Sequence, residues 1–99
     1  MTPDAFRRIA LEFQDVVEGA HMGHADFRVR NKIFATLPDD ATGMVKLPPE
    51  QQELFMRVDP AFTPATGAWG RQGCTLVRLA SIREDLLRDA LMVAWKARR

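Results

Sequence analysis

Apolar residues near the start of the chain recur every three or four positions, the period of an α-helix with one buried face. Thr2 is a good N-cap, and Pro3 suits the first helical position, where no backbone N–H is needed. Gly19 suits a C-terminal stop. The pattern therefore predicts a first helix that begins at Thr2 and ends near Gly19. Its apolar stripe comprises Phe6, Ile9, Ala10, Phe13 and Val17.

The hydrophobic period changes to two in the next segment. Phe27 and Val29 alternate with Arg28 and Arg30, which is typical of a strand with one buried face. Asn31 tolerates a left-handed backbone, so it predicts a hairpin turn. Further strands are predicted at residues 32–37, 44–47 and 74–79.

Two more helices follow from their start signals. Pro48-Pro49 opens a helix over residues 50–58, and the segment 59–72 is predicted to be a long ordered loop. Ser81 with Glu84 three positions later forms a capping box for the last helix. The predicted apolar sides are Leu54, Phe55 and Val58 in the second helix, and Ile82, Leu86, Leu87, Ala90, Leu91, Ala94 and Trp95 in the last.

Together these elements predict one α+β domain over residues 1–99. Alternating strands and a hairpin favour an antiparallel β-sheet of about four strands with helices packed on one face. A chain of this length can bury one core without a metal or a disulfide. The predicted core contains Phe6, Ile9, Phe13, Phe27, Val29, Phe34, Leu54, Leu86, Leu87 and Leu91.

Composition narrows the functional classes. The formal net charge is +1, so any attraction to nucleic acid must come from a local patch. The single cysteine, Cys74, has no internal disulfide partner and suits a reducing compartment. No apolar run approaches the ~20 residues of a membrane span, and the N-terminus lacks the pattern of a signal peptide. We therefore expect a cytoplasmic protein, taken as a monomer, without a membrane partner.

Several segments resemble the MmcQ/YjbR-like family. They are Phe27-Arg-Val-Arg-Asn-Lys-Ile-Phe-Ala-Thr36, Lys46-Leu47-Pro48-Pro49-Glu50, Pro64-Ala65, Trp69-Gly70 followed by Gly73, and the closing helix after Leu79. The resemblance implies a CyaY-like fold and a proposed double-wing DNA-binding role. It supplies no catalytic residues. The chain departs from the family at Cys74, where many relatives place a tryptophan after the glycine, so a surface built on that tryptophan is altered here.

The candidate nucleic-acid-binding residues are basic strand positions. Arg28 and Arg30 lie opposite the apolar side of their strand, and Lys46 and Arg78 each lie between two apolar residues. If helices cover one face, these cations meet on the open face, with Lys32 as a contact at the hairpin tip. No Asn or Gln recurs among them to read adenine edges, so specificity should be low. The alternative is a solvated face without a ligand.

The segment Trp69–Gly73 carries the second candidate site. It lacks the Lys-Ser/Thr of a P-loop, so it is not a phosphate cradle of that kind. Trp69 either plugs one edge of the core or lies partly exposed beside Arg71 as an interface anchor. The second possibility makes the protein a protein–protein adaptor that uses this loop or the open sheet face.

Other reactive residues do not predict catalysis. Glu18, His21, His24 and Asp26 cluster in sequence, but no remote Cys or His completes a metal site, and local hydrogen bonding explains the histidines. Cys74 is expected to be buried and inert. We therefore predict a protein without enzymatic activity, metal or cofactor.

Overall fold

A single antiparallel sheet carries the fold in the computed structural model, which describes residues 1–99. The strands are β1 Val16–His21, β2 His24–Val29, β3 Lys32–Leu37, β4 Thr42–Lys46, β5 Phe62–Pro64 and β6 Cys74–Arg78; the helices are α1 Pro3–Leu11, α2 Pro49–Val58, α3 Ala68–Arg71 and α4 Glu84–Arg98. The strand order is β1-β2-β3-β4-β6-β5. The α+β prediction is confirmed, with six strands instead of about four. The two added strands are β1 and β5; β5 and the helix α3 lie within the segment predicted as a loop.

Helices cover one face of this sheet and build the core there. Helix α1 packs on β1 and β4, and α4 packs on β3 and β4. The rings of Phe6 and Phe27 lie 6.0 Å apart between α1 and β2. None of the helices has both the length and the apolar character that crossing a bilayer requires. The predicted core residues that are buried are Phe6, Ile9, Phe27, Val29, Phe34, Leu86, Leu87 and Leu91.

The first helix is shorter than its hydrophobic period predicts. It ends at Leu11, and Asp15 then adopts a left-handed conformation (φ 64°) that turns the chain into β1. Phe13 is consequently only half-buried outside the helix, and Val17 is 60% exposed on a strand. Gly19 lies within β1 and does not end a helix. The helical prediction for residues 12–19 is wrong: residues 12–15 form a turn, and pairing with β2 supplies residues 16–19 with sheet hydrogen bonds.

The second helix presents a different side to the core than predicted. Leu54 is 51% exposed and Val58 is also exposed, so their assignment to the buried side is wrong. Gln52 is buried instead, and its amide donates hydrogen bonds to two backbone carbonyls of the α3–β6 segment at 3.1 and 3.2 Å. Phe55, one turn later, packs on Phe62 with ring centroids 5.3 Å apart. On the buried side of α2, an amide with its hydrogen bonds satisfied therefore takes the place of the predicted aliphatic contacts.

The last helix begins later than the capping box predicts. Its first residue is Glu84 and its N-cap is Arg83, without a capping hydrogen bond from a side chain. Ser81 belongs to the turn after β6, where its N–H donates to the carbonyl of Arg78 at 3.3 Å. The capping-box prediction is therefore wrong: Ile82 is buried, which holds Ser81 in this turn. The rest of the predicted inward stripe is buried at Leu86, Leu87, Ala90, Leu91 and Ala94, with Trp95 partly buried.

The predicted hairpin turn is confirmed. Arg30 (φ 51°) and Asn31 (φ 65°) both adopt left-handed conformations between β2 and β3. Positive φ at both central residues matches the twist of an antiparallel hairpin. Arg30 is therefore a turn residue and not the outward strand residue that the alternation predicted.

Candidate functional site

We call the face of the sheet opposite the helices the open face. Every second residue of each strand points toward it. Paired residues on neighbouring strands share a face, so the register assigns each side chain. Because Phe27 faces the helices, its neighbours Asp26 and Arg28 face outward. From Asp26 the outward row continues through Thr36, Met44 and Leu76 to β5. The open face is thus a continuous surface across five neighbouring strands.

Three of the five predicted nucleic-acid-binding residues lie on the open face. Arg28, Lys46 and Arg78 occupy outward positions on β2, β4 and β6. Arg30 lies in the hairpin turn, at the end of the sheet. Lys32 is exposed but pairs with a buried residue of β2, so it lies toward the helix-covered side. The five residues are therefore not a single cluster, and only Arg28, Lys46 and Arg78 share the open face.

Lys46 and Arg78 are two separated, unpaired cations. Lys46 pairs with Cys74 across the β4–β6 ladder, and Arg78 pairs with Thr42 at its other end. Four residues along a strand place them roughly 13 Å apart. Neither side chain forms an ion pair. Both remain free to contact an anionic ligand.

Arg28 differs because it is held by a carboxylate on the same face. Its guanidinium donates to both oxygens of Asp26, from Nε at 2.8 Å and from Nη2 at 3.0 Å. The side chain of Asp26 is fully buried, and His21 Nδ1 lies 2.8 Å from its Oδ2. The hydrogen bonds from Arg28 and then from His21 outweigh burial and lower the pKa of Asp26 to about 2. At neutral pH the carboxylate is ionised and offsets the charge of Arg28.

Gly19 makes room for this arrangement. It pairs directly with Asp26 across the β1–β2 ladder. A Cβ atom at this position would lie 2.9 Å from Asp26 Oδ1 and 3.3 Å from Arg28 Nε. A larger residue would therefore displace the carboxylate or the guanidinium. Sequence reasoning missed this site because the signal, a glycine opposite an aspartate, exists only once the strand register is known.

A cavity of about 390 Å³ on the open face, the Trp69 groove, lies between β1 and α3. Its volume falls within the usual range of ligand pockets. A second cavity of about 420 Å³ surrounds Arg78, beyond the cross-strand pair Met44–Leu76. The Trp69 groove is lined by His21, Ile33, Thr36, Met44, Lys46, Ala65, Thr66, Trp69 and Cys74.

Trp69 stands at the rim of this groove and does not plug the core. The residue is 64% exposed, so the core-plug interpretation is wrong. The buried residue of α3 is Gly70, which packs so closely on the Ala65 carbonyl that no Cβ fits. This contact fixes the short helix against the chain and turns the neighbouring indole outward. Arg71 is also exposed, at the end of α3, but does not line the groove.

The remaining reactive residues are dispersed. Cys74 is a buried free cysteine, as predicted. His21 makes the local hydrogen bond expected of it, whereas His24 lines a different hollow beside Arg7. No group of three or more His, Cys, Asp or Glu side chains is arranged to hold a metal ion.

Helices on one side of an open antiparallel sheet define a small α+β module. The chain belongs to the YjbR family, whose sequence model matches residues 11–97, and the resemblance seen in the sequence is thereby confirmed. A crystal structure of a protein from Pseudomonas syringae, a Northeast Structural Genomics Consortium target, is similar to this chain with a TM-score of 0.78 over 100% of both chains. The sequence identity of 16% makes this a likeness of fold alone. No functionally curated protein matches the chain.

Proposed function

We propose that the protein is a non-enzymatic DNA-binding module of low sequence specificity that contacts phosphates with its open face. The supporting observation is the charge on that face. Its strand positions carry Arg28, Lys46 and Arg78 but a single carboxylate, Asp26, which is buried and already paired. Cations without neighbouring carboxylates attract phosphates independently of sequence.

The helix-covered side differs because several of its cations are paired with carboxylates. Some of these ion pairs join different elements. Arg88 of α4, for example, lies 2.8 Å from a carboxylate oxygen of Glu12, after α1. The other ion pairs on that side are Arg7–Asp4, Arg7–Glu18, Arg83–Asp85 and Arg88–Glu84.

The arrangement of reactive groups supports a binding role over a catalytic one. His21 and Asp26 form a hydrogen-bonded pair, and Cys74 lines the same groove. However, β1 and β6 are four strand spacings apart in the sheet, which separates their backbones by roughly 19 Å. A nucleophile must lie within hydrogen-bond reach of its base, so this separation argues against activation of Cys74 by His21.

The test is a fluorescence-anisotropy titration of labelled duplex and single-stranded DNA at several salt concentrations. The variant Lys46→Ala/Arg78→Ala removes both free open-face cations. The matched control, Arg57→Ala/Lys96→Ala, removes the same charge from exposed residues of α2 and α4. If the two cations each contact one phosphate, the salt slope of duplex binding should fall by roughly 2 in the test variant only.

Two outcomes contradict the proposal. One is a wild-type protein that binds no DNA even at low salt. The other is a test variant that binds like wild type or loses no more affinity than the control. Unchanged binding in the test variant with a loss in the control would assign the contact to the helical side, at Arg57 or at the Lys96–Arg99 tail.

A protein–protein adaptor is the second candidate, and the exposure of Trp69 favours it. Tryptophan and arginine are preferred interface anchors, and Arg71 lies two residues away, also exposed. Salt separates the two functions, because contacts dominated by an aromatic anchor depend much less on ionic strength than phosphate contacts do. Absence of DNA binding at every salt concentration would favour the adaptor.

A further inference from the structure

We infer that the Trp69 groove binds single-stranded nucleic acid in preference to duplex, with an unpaired base stacked on Trp69 and a phosphate beside Lys46. The inference rests on the proposed function and specifies its substrate. It unites the two candidate sites of the sequence, because Lys46 and Trp69 line one cavity.

Trp69 has the properties of a stacking platform. The residue is 64% exposed, and its indole packs on no other aromatic ring. Trp95, the other tryptophan, is engaged: its indole N–H donates to the Gln14 carbonyl at 3.0 Å, and its ring packs on Phe13 at 5.6 Å. Stacking on an exposed aromatic ring is available to every base, so it gives affinity without sequence preference.

The groove has separate places for a base and for a phosphate. Ile33, Met44 and Ala65 supply apolar lining in the same groove as Trp69, and Lys46 supplies an unpaired ammonium group. The Nδ1 atom of His21 is occupied by Asp26, which leaves Nε2 as the ring nitrogen available to a ligand. No carboxylate lines the cavity. Positive charge and apolar surface in one groove complement a strand whose bases are unstacked.

The shape of the groove also favours a strand over a duplex. The cavity is bounded by His21 of β1 and by Cys74 of β6, so it crosses the sheet over several strand spacings of ~4.8 Å each. In a duplex the flat faces of the bases are covered by their stacked neighbours. A duplex therefore offers this surface only phosphates, and the indole of Trp69 gains no stacking partner.

The test compares Trp69→Ala and Trp69→Phe with wild type on three ligands: an oligo-dT of about ten nucleotides, a duplex of equal length, and thymidine monophosphate. Loss of one base stack should weaken binding of the oligo-dT by roughly 5- to 150-fold in Trp69→Ala. Trp69→Phe keeps an aromatic face and should retain most of the affinity. Duplex affinity should change less than twofold in both variants. The exposed position predicts wild-type melting midpoints, which verify folding.

The outcomes separate this inference from the proposed function. If Trp69→Ala binds oligo-dT like wild type, or loses duplex affinity equally, the stacking role is wrong while phosphate binding by the open face stands. If the wild-type protein binds none of the three ligands, both the stacking role and the proposed function are wrong. Thymidine monophosphate should bind at least tenfold more weakly than the oligo-dT, since its single phosphate can contact Lys46 but cannot also reach Arg78, roughly 13 Å away. Equal affinity for thymidine monophosphate and the oligo-dT would mean that the groove binds a free nucleotide and not a strand, which would overturn the inference.

Discussion

The two faces of the sheet draw on the same strands but have opposite chemistry. Toward the helices, Phe27 and Phe34 are completely buried in an apolar core. On the open face, the neighbouring positions hold the pair Asp26–Arg28, the unpaired Lys46 and a groove. Because successive strand residues point to opposite sides, one face can stabilise the fold while the other binds a ligand. Substitutions on the two faces should therefore affect different measurements.

The largest effect is expected on the covered face. Phe27→Ala removes a fully buried ring and should lower the free energy of unfolding by about 3–5 kcal/mol. Val17→Ala, on the open face and 60% exposed, is the matched control and should change it by less than about 0.5 kcal/mol. Urea denaturation measures both. Comparable losses in the two variants would contradict the division between the faces.

Asp26 is the exception on the open face, because it should affect both stability and binding. Asp26→Asn replaces a buried, charged acceptor and should cost about 1–3 kcal/mol of unfolding free energy. It should also tighten DNA binding, since Arg28 loses its counter-charge. Asp89→Asn removes the same charge from an exposed position of α4 and should change neither the unfolding free energy nor the affinity for DNA. Weaker DNA binding by Asp26→Asn, with the fold intact, would argue against phosphate contacts on this face.

The same pair predicts a pH dependence of stability. The pKa of Asp26 is about 2 in the folded protein, against an ordinary value of 3.8, so the ionised pair contributes fully to stability above pH 3.8. This contribution, on the order of 1–2 kcal/mol, should disappear as the pH falls through about 2. The measurement is the difference in unfolding free energy between wild type and Asp26→Asn as a function of pH. A difference that stays constant down to pH 2 would disagree with this account.

The smallest effect on stability is expected at the rim of the groove. Trp69→Ala should change the unfolding free energy by less than about 0.5 kcal/mol, because its indole is mainly exposed and the packing of α3 depends on Gly70. Gly70→Ala should cost more than Trp69→Ala, since its Cβ would overlap the Ala65 carbonyl. Thermal unfolding compares the two. The reverse order would mean that Trp69 is part of the structural core.

The sequence predicted those parts of the fold that depend on local pattern. The alternation of Phe27 and Val29, the turn at Asn31 and the stripe of α4 all depend on residues close together in the sequence, and all are confirmed. The strand β1 was missed because Phe13 and Val17 continue the helical period, whereas its hydrogen bonds come from β2.

The candidate site was predictable only in part, for a related reason. The outward direction of Lys46 and Arg78 follows from alternation along each strand. The neutralisation of Arg28 does not, because Asp26 is held by residues of two strands opposite Gly19. The exposure of Trp69 likewise depends on a tertiary contact, the packing of Gly70 on Ala65. Strand register and tertiary packing determine these two features, which the periodicity of the sequence does not predict.

The central claim is that the open face, not the helical side, binds nucleic acid, and the two tryptophans test it most directly. Their indole N–H resonances can be followed by ¹H–¹⁵N NMR during titration with oligo-dT, with Trp69→Phe and Trp95→Phe assigning each signal. We predict that the Trp69 resonance shifts at low salt and returns as salt is added, while the Trp95 resonance, whose N–H is bonded to the Gln14 carbonyl, stays fixed. A shift of Trp95 alone, or of neither resonance while DNA is bound, would contradict the account.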